Sequence, residues 1–245
     1  MRRLRPFIKY YGSKWRLAPL YPAPEGKIII EPFAGSAQYA TLYPDREVHL
    51  YDLDDKICGV WDYLIHGSKS EILSLPLLLD PEESLLDHDI PQEAKWLIGY
   101  WLGVGATPIL QRTPWGFVAL KSGWLSTWCG AKRNQIANSI SKIRHWKIHN
   151  EHYQQVKNVD ATWFIDPPYQ IKGGEHYRRS NKEIDYENLK SWTLSRKGLK
   201  IVCEAEGAKW MDFQPLKSTY GADRSKTYKE LIWTNYEKPQ LELWR

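Results

Sequence analysis

Asp166-Pro167-Pro168-Tyr169, directly after the apolar run Ala161-Thr162-Trp163-Phe164-Ile165, is the sharpest chemical feature of the chain. An amino group conjugated to a purine ring is a poor nucleophile, because its lone pair is delocalised into the ring. Acceptors set against its N–H bonds favour the charge that builds on nitrogen as it attacks an electrophile. Asp166 offers one such acceptor and the Pro167 carbonyl a second. Consecutive prolines fix φ and remove competing backbone donors, so both acceptors are held rigidly. Tyr169 offers an aromatic face to a base. A base inside a duplex must first be flipped out, at a cost of a few kcal/mol; stacking on an aromatic ring returns about 1–3 kcal/mol. The plainer reading of the four residues is a Pro-Pro turn with a capping Asp. Their place at a strand end, downstream of two further turns that could hold a ligand, favours chemistry.

The first of those turns is Glu31-Pro32-Phe33-Ala34-Gly35-Ser36-Ala37. Gly35 lets backbone approach a ligand closely, and Phe33 can pack on an apolar part of it. The second is Asp52-Leu53-Asp54-Asp55, where Asp52 is placed to accept from both hydroxyls of a ribose, as acidic residues do in dinucleotide folds. Asp54 and Asp55 compete for that role. The glycines do not make a G-x-G-x-x-G fingerprint, which disfavours nicotinamide cofactors, and no Gly-Lys-Ser/Thr loop is present, which disfavours a nucleotide triphosphatase.

The elements that must position these turns read as α/β. Ile28-Ile29-Ile30 and Val48-His49-Leu50-Tyr51 are short buried strands, followed by helical character over Ala37–Leu42 and a helix over Lys56–Ile65. Prolines cannot donate to a sheet ladder, so the strand ending at Ile165 must stop there. Glu187–Ser195 reads as a helix, Lys200–Cys203 as a strand, and Tyr228–Tyr236 as a late strand preceded by a polar loop. The expected fold is thus α/β, a mostly parallel Rossmann-like sheet with helices on both faces. A helical insertion over 66–145 interrupts a catalytic domain made of 1–65 and 146–245.

That insertion changes charge along its length. Residues 71–93 hold seven acids and no Lys or Arg, whereas 112–147 hold Arg112, Lys121, Lys132, Arg133, Lys142, Arg144 and Lys147 and no acid. Trp115, Trp124, Trp128 and Trp146 are interleaved, a mixture suited to phosphates and bases. Lys132 and Arg133 are the leading candidates for nucleic-acid contact, with Arg112, Tyr177, Arg178 and Arg224 beside them. The chain of 245 residues carries a formal charge of +5 and an unusual 13 Trp and 15 Tyr. Its three cysteines lie far apart, so neither a disulfide framework nor a zinc site is expected, and a reducing cytoplasmic setting fits. The basic start is not followed by an apolar run, so neither a signal peptide nor a membrane span is expected.

Together these motifs resemble the Dam-type N6-adenine DNA methyltransferases, and most closely the phage-type members. The resemblance covers nearly the whole chain and keeps the order of the motifs. Phe7-Ile8-Lys9-Tyr10-Tyr11-Gly12-Ser13-Lys14 resembles the family's first cofactor motif, which implies that Tyr10 and Lys14 line the cofactor pocket. Glu31-Pro32-Phe33-Ala34-Gly35 resembles the second, implying pocket roles for Glu31, Pro32, Phe33 and Gly35. Asp52, with Leu53, matches the ribose-binding acid, and His152-Tyr153 the segment packed on the cofactor's adenine. Asp166, Pro167, Pro168 and Tyr169 match the catalytic motif, with Asp166 also facing the cofactor. Tyr228–Tyr236 resembles the closing strand. One departure is Ala37, where the family usually carries a second glycine.

The resemblance implies S-adenosylmethionine as cofactor, no metal, double-stranded DNA as partner with base flipping, and a monomer or weak dimer. It places the protein in the cytoplasm of a bacterium or phage-infected cell, in a phage or restriction-modification setting. The insertion becomes the target-recognition domain. Cytosine C5 methylation needs a cysteine nucleophile, and no cysteine follows a proline in a catalytic-looking loop. N4-cytosine methylation, RNA adenine methylation and an inactive DNA-binding relative remain as alternatives. A nuclease would need a carboxylate cluster beside a lysine, which the chain lacks.

Overall fold

A computed structural model describes residues 3–77, 83–103, 105–111, 127–171, 174–220 and 227–236. Its centre is a seven-stranded sheet in the order β3-β2-β1-β4-β5-β7-β6. The strands are β1 (Ile28–Glu31), β2 (Glu47–Tyr51), β3 (Lys147–His149), β4 (Thr162–Ile165), β5 (Lys200–Ala205), β6 (Gln214–Tyr220) and β7 (Thr227–Thr234). The pairings β1–β2, β1–β4, β2–β3 and β4–β5 are parallel, while β7 runs antiparallel to both β5 and β6.

Successive strand residues point to opposite faces, and both faces are covered. Ile29, Val48, Leu50, Phe164, Ile201 and Cys203 enter one buried cluster, and Ile30, Tyr51, Trp163, Ile165 and Val202 enter a second. Over the first face lies α1 (Asp55–His66), whose Ile57, Val60, Trp61, Leu64 and Ile65 recur at the three- and four-residue spacing of an apolar stripe. Asp54 caps it, its side chain accepting from the Lys56 backbone N–H. Over the second face lies α5 (Tyr186–Ser195), burying Leu189 and Trp192 and capped by Asp185.

The segment between α1 and β3 holds α2 (Lys69–Ser74), α3 (Gln92–Leu102) and α4 (Gly130–Ala137). Its Leu75, Leu97, Ile98, Trp101, Trp128 and Ile136 join the same buried cluster as the sheet residues Ile29 and Leu50. The inserted helices therefore share one continuous core with the sheet.

Three local readings change. Within 37–42 a 3-10 turn forms over Ala40–Leu42, and Ala37 takes a left-handed φ of 46° that keeps it out of a right-handed helix. The edge strand β3 carries too little apolar pattern to be read from sequence, with burial only partial over Lys147–His149. Ahead of the closing strand stands β6, a polar strand paired on one side only. No described helix is long and apolar enough to cross a membrane.

Candidate active site

The order of strands turns about β1: the chain moves first to β2 and β3 on one side, then to β4 and β5 on the other. In open parallel sheets such a switch leaves a crevice at the carboxyl ends of the strands. The crevice here holds about 910 Å³ including its mouth, and it is lined by Tyr10, Lys14, Glu31–Gln38, Asp52–Asp54, His152, Tyr153, Asp166 and Pro168. The turns singled out from sequence thus meet in one cleft.

The turn after β1 is built mostly from backbone and near neighbours. Gly35 has φ 44°, and a Cβ there would lie 3.2 Å from the Tyr10 ring, so glycine is favoured both by the conformation and by the contact. Its N–H donates to Asp52 Oδ2 at 2.9 Å, its carbonyl accepts from Trp61 Nε1 at 2.8 Å, and Glu31 Oε1 accepts from the Ala40 N–H at 2.7 Å. Burial pushes the Glu31 carboxyl up to about 8. Asp52 Oδ1 accepts from the Asp54 N–H at 2.9 Å. Burial raises Asp52 to about 6 even though these backbone donors pull the other way. Asp54 and Asp55 are committed elsewhere: Asp54 caps α1, and Arg178 Nη1 pairs with both carboxylates. Asp52 binds the Gly35 turn directly, and Asp54 also lines the cleft, its Oδ2 without a hydrogen-bond partner among the described residues. Phe33 and Tyr153 form an aromatic wall, their ring centroids 5.5 Å apart, and His152 lies against Tyr153 at 4.3 Å.

The turn after β4 is held by side chains from distant parts of the chain. Lys14 is 5% exposed and its Nζ lies 2.8 Å from Asp166 Oδ1. Burial alone would lower the Lys14 pKa, but the carboxylates of Asp166 and Glu230 outweigh it and hold it above the usual lysine range. Asp166 is pushed up to about 6, chiefly by burial, with Lys14 opposing and Glu230 adding to the rise. Pro167 is buried and Pro168 borders the cleft. The Pro168 carbonyl accepts from Tyr186 Oη at 2.6 Å, and the Gln170 N–H donates to buried Glu204 at 2.9 Å. Tyr169 is half-buried; its hydroxyl donates to Glu230 Oε1 at 2.6 Å, and Lys14 Nζ lies 4.7 Å from its ring centroid. Its ring is thus engaged by a cation and its tip by a carboxylate.

A strap over 174–184 crosses the cleft mouth. Tyr177 packs on Tyr10 and Tyr11, and its hydroxyl occupies the space beside Gly12, where a Cβ would come within 2.0 Å of it. Asn181 Nδ2 donates to the carbonyls of Tyr169 and Gln170, both at 3.1 Å, tying the strap to the turn after β4.

The cations proposed for nucleic-acid contact fall in several settings. Lys132 lies 4.0 Å from the Trp101 ring centroid and donates to Gln135 Oε1 at 2.7 Å, and burial pushes it down to about 8. Arg133 donates to the Leu75 carbonyl at 2.6 Å. Both knit α4 to neighbouring segments, so a phosphate contact would have to compete with these bonds. Arg178 is held by Asp54 and Asp55, and the Tyr177 hydroxyl donates to the Tyr11 carbonyl at 3.4 Å. Arg112 and Arg224 lie outside the described residues, as do Trp115 and Trp124.

Sequence reasoning missed three residues at the site. Glu230 was legible only as part of a strand. Tyr21 carried no signal, yet its hydroxyl donates to Glu230 Oε1 at 2.8 Å. Gln38, 3% exposed, borders the cleft, and its Oε1 has no hydrogen-bond partner among the described residues. Among the described residues no group of three or more His, Cys, Asp or Glu could hold a metal ion. No protein-family model matches the chain, and no curated protein matches it.

Proposed function

We propose that the protein is an S-adenosylmethionine-dependent DNA methyltransferase, Dam-type, that methylates the N6 amino group of adenine. The observation that carries this reading is the meeting of Asp166 and Pro168 with Phe33, Gly35 and Asp52 in one crevice at the carboxyl ends of β1, β2 and β4. A sheet of parallel strands closed by an antiparallel β7 between β5 and β6 is the layout expected of a Rossmann-like methyltransferase core.

The cleft suits adenosylmethionine. Each Asp52 oxygen accepts one backbone N–H and keeps lone-pair capacity for a ribose hydroxyl. Phe33 and Tyr153 give an apolar wall for the adenine. The unpartnered Gln38 Oε1 and the buried Glu31 offer acceptors to an ammonium group. When bound, adenosylmethionine supplies an electrophilic methyl on a sulfonium.

The chain's own residues do the rest. Lys14 fixes Asp166 through Oδ1, so its second oxygen is the one that accepts an N–H of a flipped base. The Pro167 carbonyl accepts the other N–H, and the two acceptors stabilise charge that develops on nitrogen. Tyr186 and Asn181 brace the turn through the Pro168, Tyr169 and Gln170 carbonyls, which keeps the acceptors in place while the amine attacks.

The test is transfer of labelled methyl to duplex DNA, with the product nucleoside identified by mass spectrometry. N6-methyladenine in DNA supports the reading. N4-methylcytosine, label only in RNA, or cofactor binding without transfer would each replace it with one of the alternatives.

A further inference from the structure

The closing strand carries a carboxylate where its pattern calls for an apolar residue. Glu230 and Ile232 stand two apart on β7 and so share a face, and Ile232 packs on the buried core. Glu230 is itself only 8% exposed. A buried carboxylate is costly unless paired and hydrogen-bonded, and this one is. Its Oε1 accepts from Tyr169 Oη at 2.6 Å and from Tyr21 Oη at 2.8 Å, and it lies 3.9 Å from Lys14 Nζ. Lys14 is the ammonium that holds Asp166 at 2.8 Å. One cation therefore serves two carboxylates, one in the catalytic turn and one beneath it.

We propose that Glu230 is a positioning residue for the catalytic turn: it anchors the Tyr169 hydroxyl and shares the Lys14 ammonium with Asp166, so that strand β7 sets how Asp166 meets its substrate. This rests on the methyltransferase reading, in which Asp166 and Tyr169 face the target base. Glu230 touches neither base nor methyl donor in it and acts through Lys14 and Tyr169. The groups that face Asp166 are Lys14, Tyr21 and Tyr177 from loops, Glu31 on β1, Tyr169 in its own turn, Cys203 and Glu204 on β5 and Glu230 on β7. Two of these acids hydrogen-bond to the turn, Glu204 accepting from the Gln170 N–H and Glu230 from the Tyr169 hydroxyl, and Glu230 also lies 3.9 Å from the Lys14 ammonium that holds Asp166.

The test compares Glu230→Gln with Glu230→Leu in the full chain. The glutamine keeps an oxygen for the two tyrosine hydroxyls and removes the charge. With Lys14 then left to Asp166 alone, the Asp166 carboxyl, followed by carbon NMR and assigned through Asp166→Asn, should titrate at lower pH than in the unaltered protein. The leucine removes the anchor as well, and kcat should fall at least tenfold while adenosylmethionine affinity changes less than twofold. Should the leucine variant fail to fold, Tyr169→Phe tests the anchor in its place, with the same split expected. An Asp166 titration unmoved by Glu230→Gln overturns the proposal, as does an unchanged kcat in the leucine or phenylalanine variant. Absence of methyl transfer by the unaltered protein overturns the reading beneath it instead, and the Asp166 titration then still decides whether Glu230 controls that carboxyl.

Discussion

The two turns that face each other across the cleft are built by opposite means. The turn after β1 is held by a glycine conformation, by backbone N–H groups reaching Glu31 and Asp52, and by Trp61 from the next helix. The turn after β4 is held by Lys14, Tyr186, Asn181, Glu204 and Glu230, drawn from both ends of the chain. The difference suits the two tasks of the proposed reaction. A ligand that is only bound needs a close, shaped backbone. Acceptors that must stabilise charge at one atom need rotamers locked from behind.

The sharpest way to break the comparison is to cut one turn and watch the other. Asp166→Ala should lower methyl transfer by roughly 10²–10³ or more, the range seen when a charge-stabilising group is removed. Adenosylmethionine binding by calorimetry should change little. Joint loss of both would show that the two turns are not separable.

A second test uses the charge of the same carboxyl. Asp166 offers negative charge to the developing positive nitrogen only when ionised, so with its pKa raised from 3.8 to about 6 the rate should fall about tenfold per pH unit below that value. Stability should move the other way through this group. A carboxyl that binds its proton more tightly when folded adds stability below its unfolded value and loses it as pH rises towards 6. A rate that tracks thermal unfolding on the acid side would assign the loss to unfolding rather than to Asp166.

Gly12→Ala probes the strap. Its φ of 70° and the Tyr177 hydroxyl in the Cβ position both oppose a side chain. The backbone cost alone is about 1–2 kcal/mol, and Tyr177 must move as well. Protease cleavage within 174–184 should become faster, with the sheet core unaffected. An unchanged cleavage rate would mean that Tyr177 does not fasten the strap.

Two smaller effects sharpen the picture. Lys132→Ala should lower stability by about 1 kcal/mol through loss of its packing on Trp101. The salt dependence of DNA binding should stay the same; a slope reduced by about one would restore Lys132 as a phosphate contact. Ala37→Gly should relieve the strain of a left-handed alanine, worth about 1 kcal/mol, and raise the melting temperature or tighten adenosylmethionine binding. No gain in either would show that the turn already accommodates the methyl group.

Much of the layout was legible because it is local. Ile28–Ile30, Val48–Tyr51 and Thr162–Ile165 are apolar runs ended by turn residues, and the helices α1 and α5 carry Asp caps and apolar stripes that a reader can see in a dozen residues. Strand β3 was not, since one exposed and two partly buried residues at a sheet edge leave no pattern. Lys132 and Arg133 looked like free cations because composition cannot show that Trp101 and the Leu75 carbonyl lie beside them.

By itself the sequence determined the turns: which residues end the strands, where backbone must turn tightly, and which acids and aromatics stand at those ends. Only the tertiary structure decided that Lys14 bridges to Asp166, and that Glu230 binds hydroxyls 61 and 209 residues away. A turn is specified by steric preferences of adjacent residues, which act before the chain folds. A buried ion network exists only once the sheet has brought distant segments together and removed the water that would otherwise screen them.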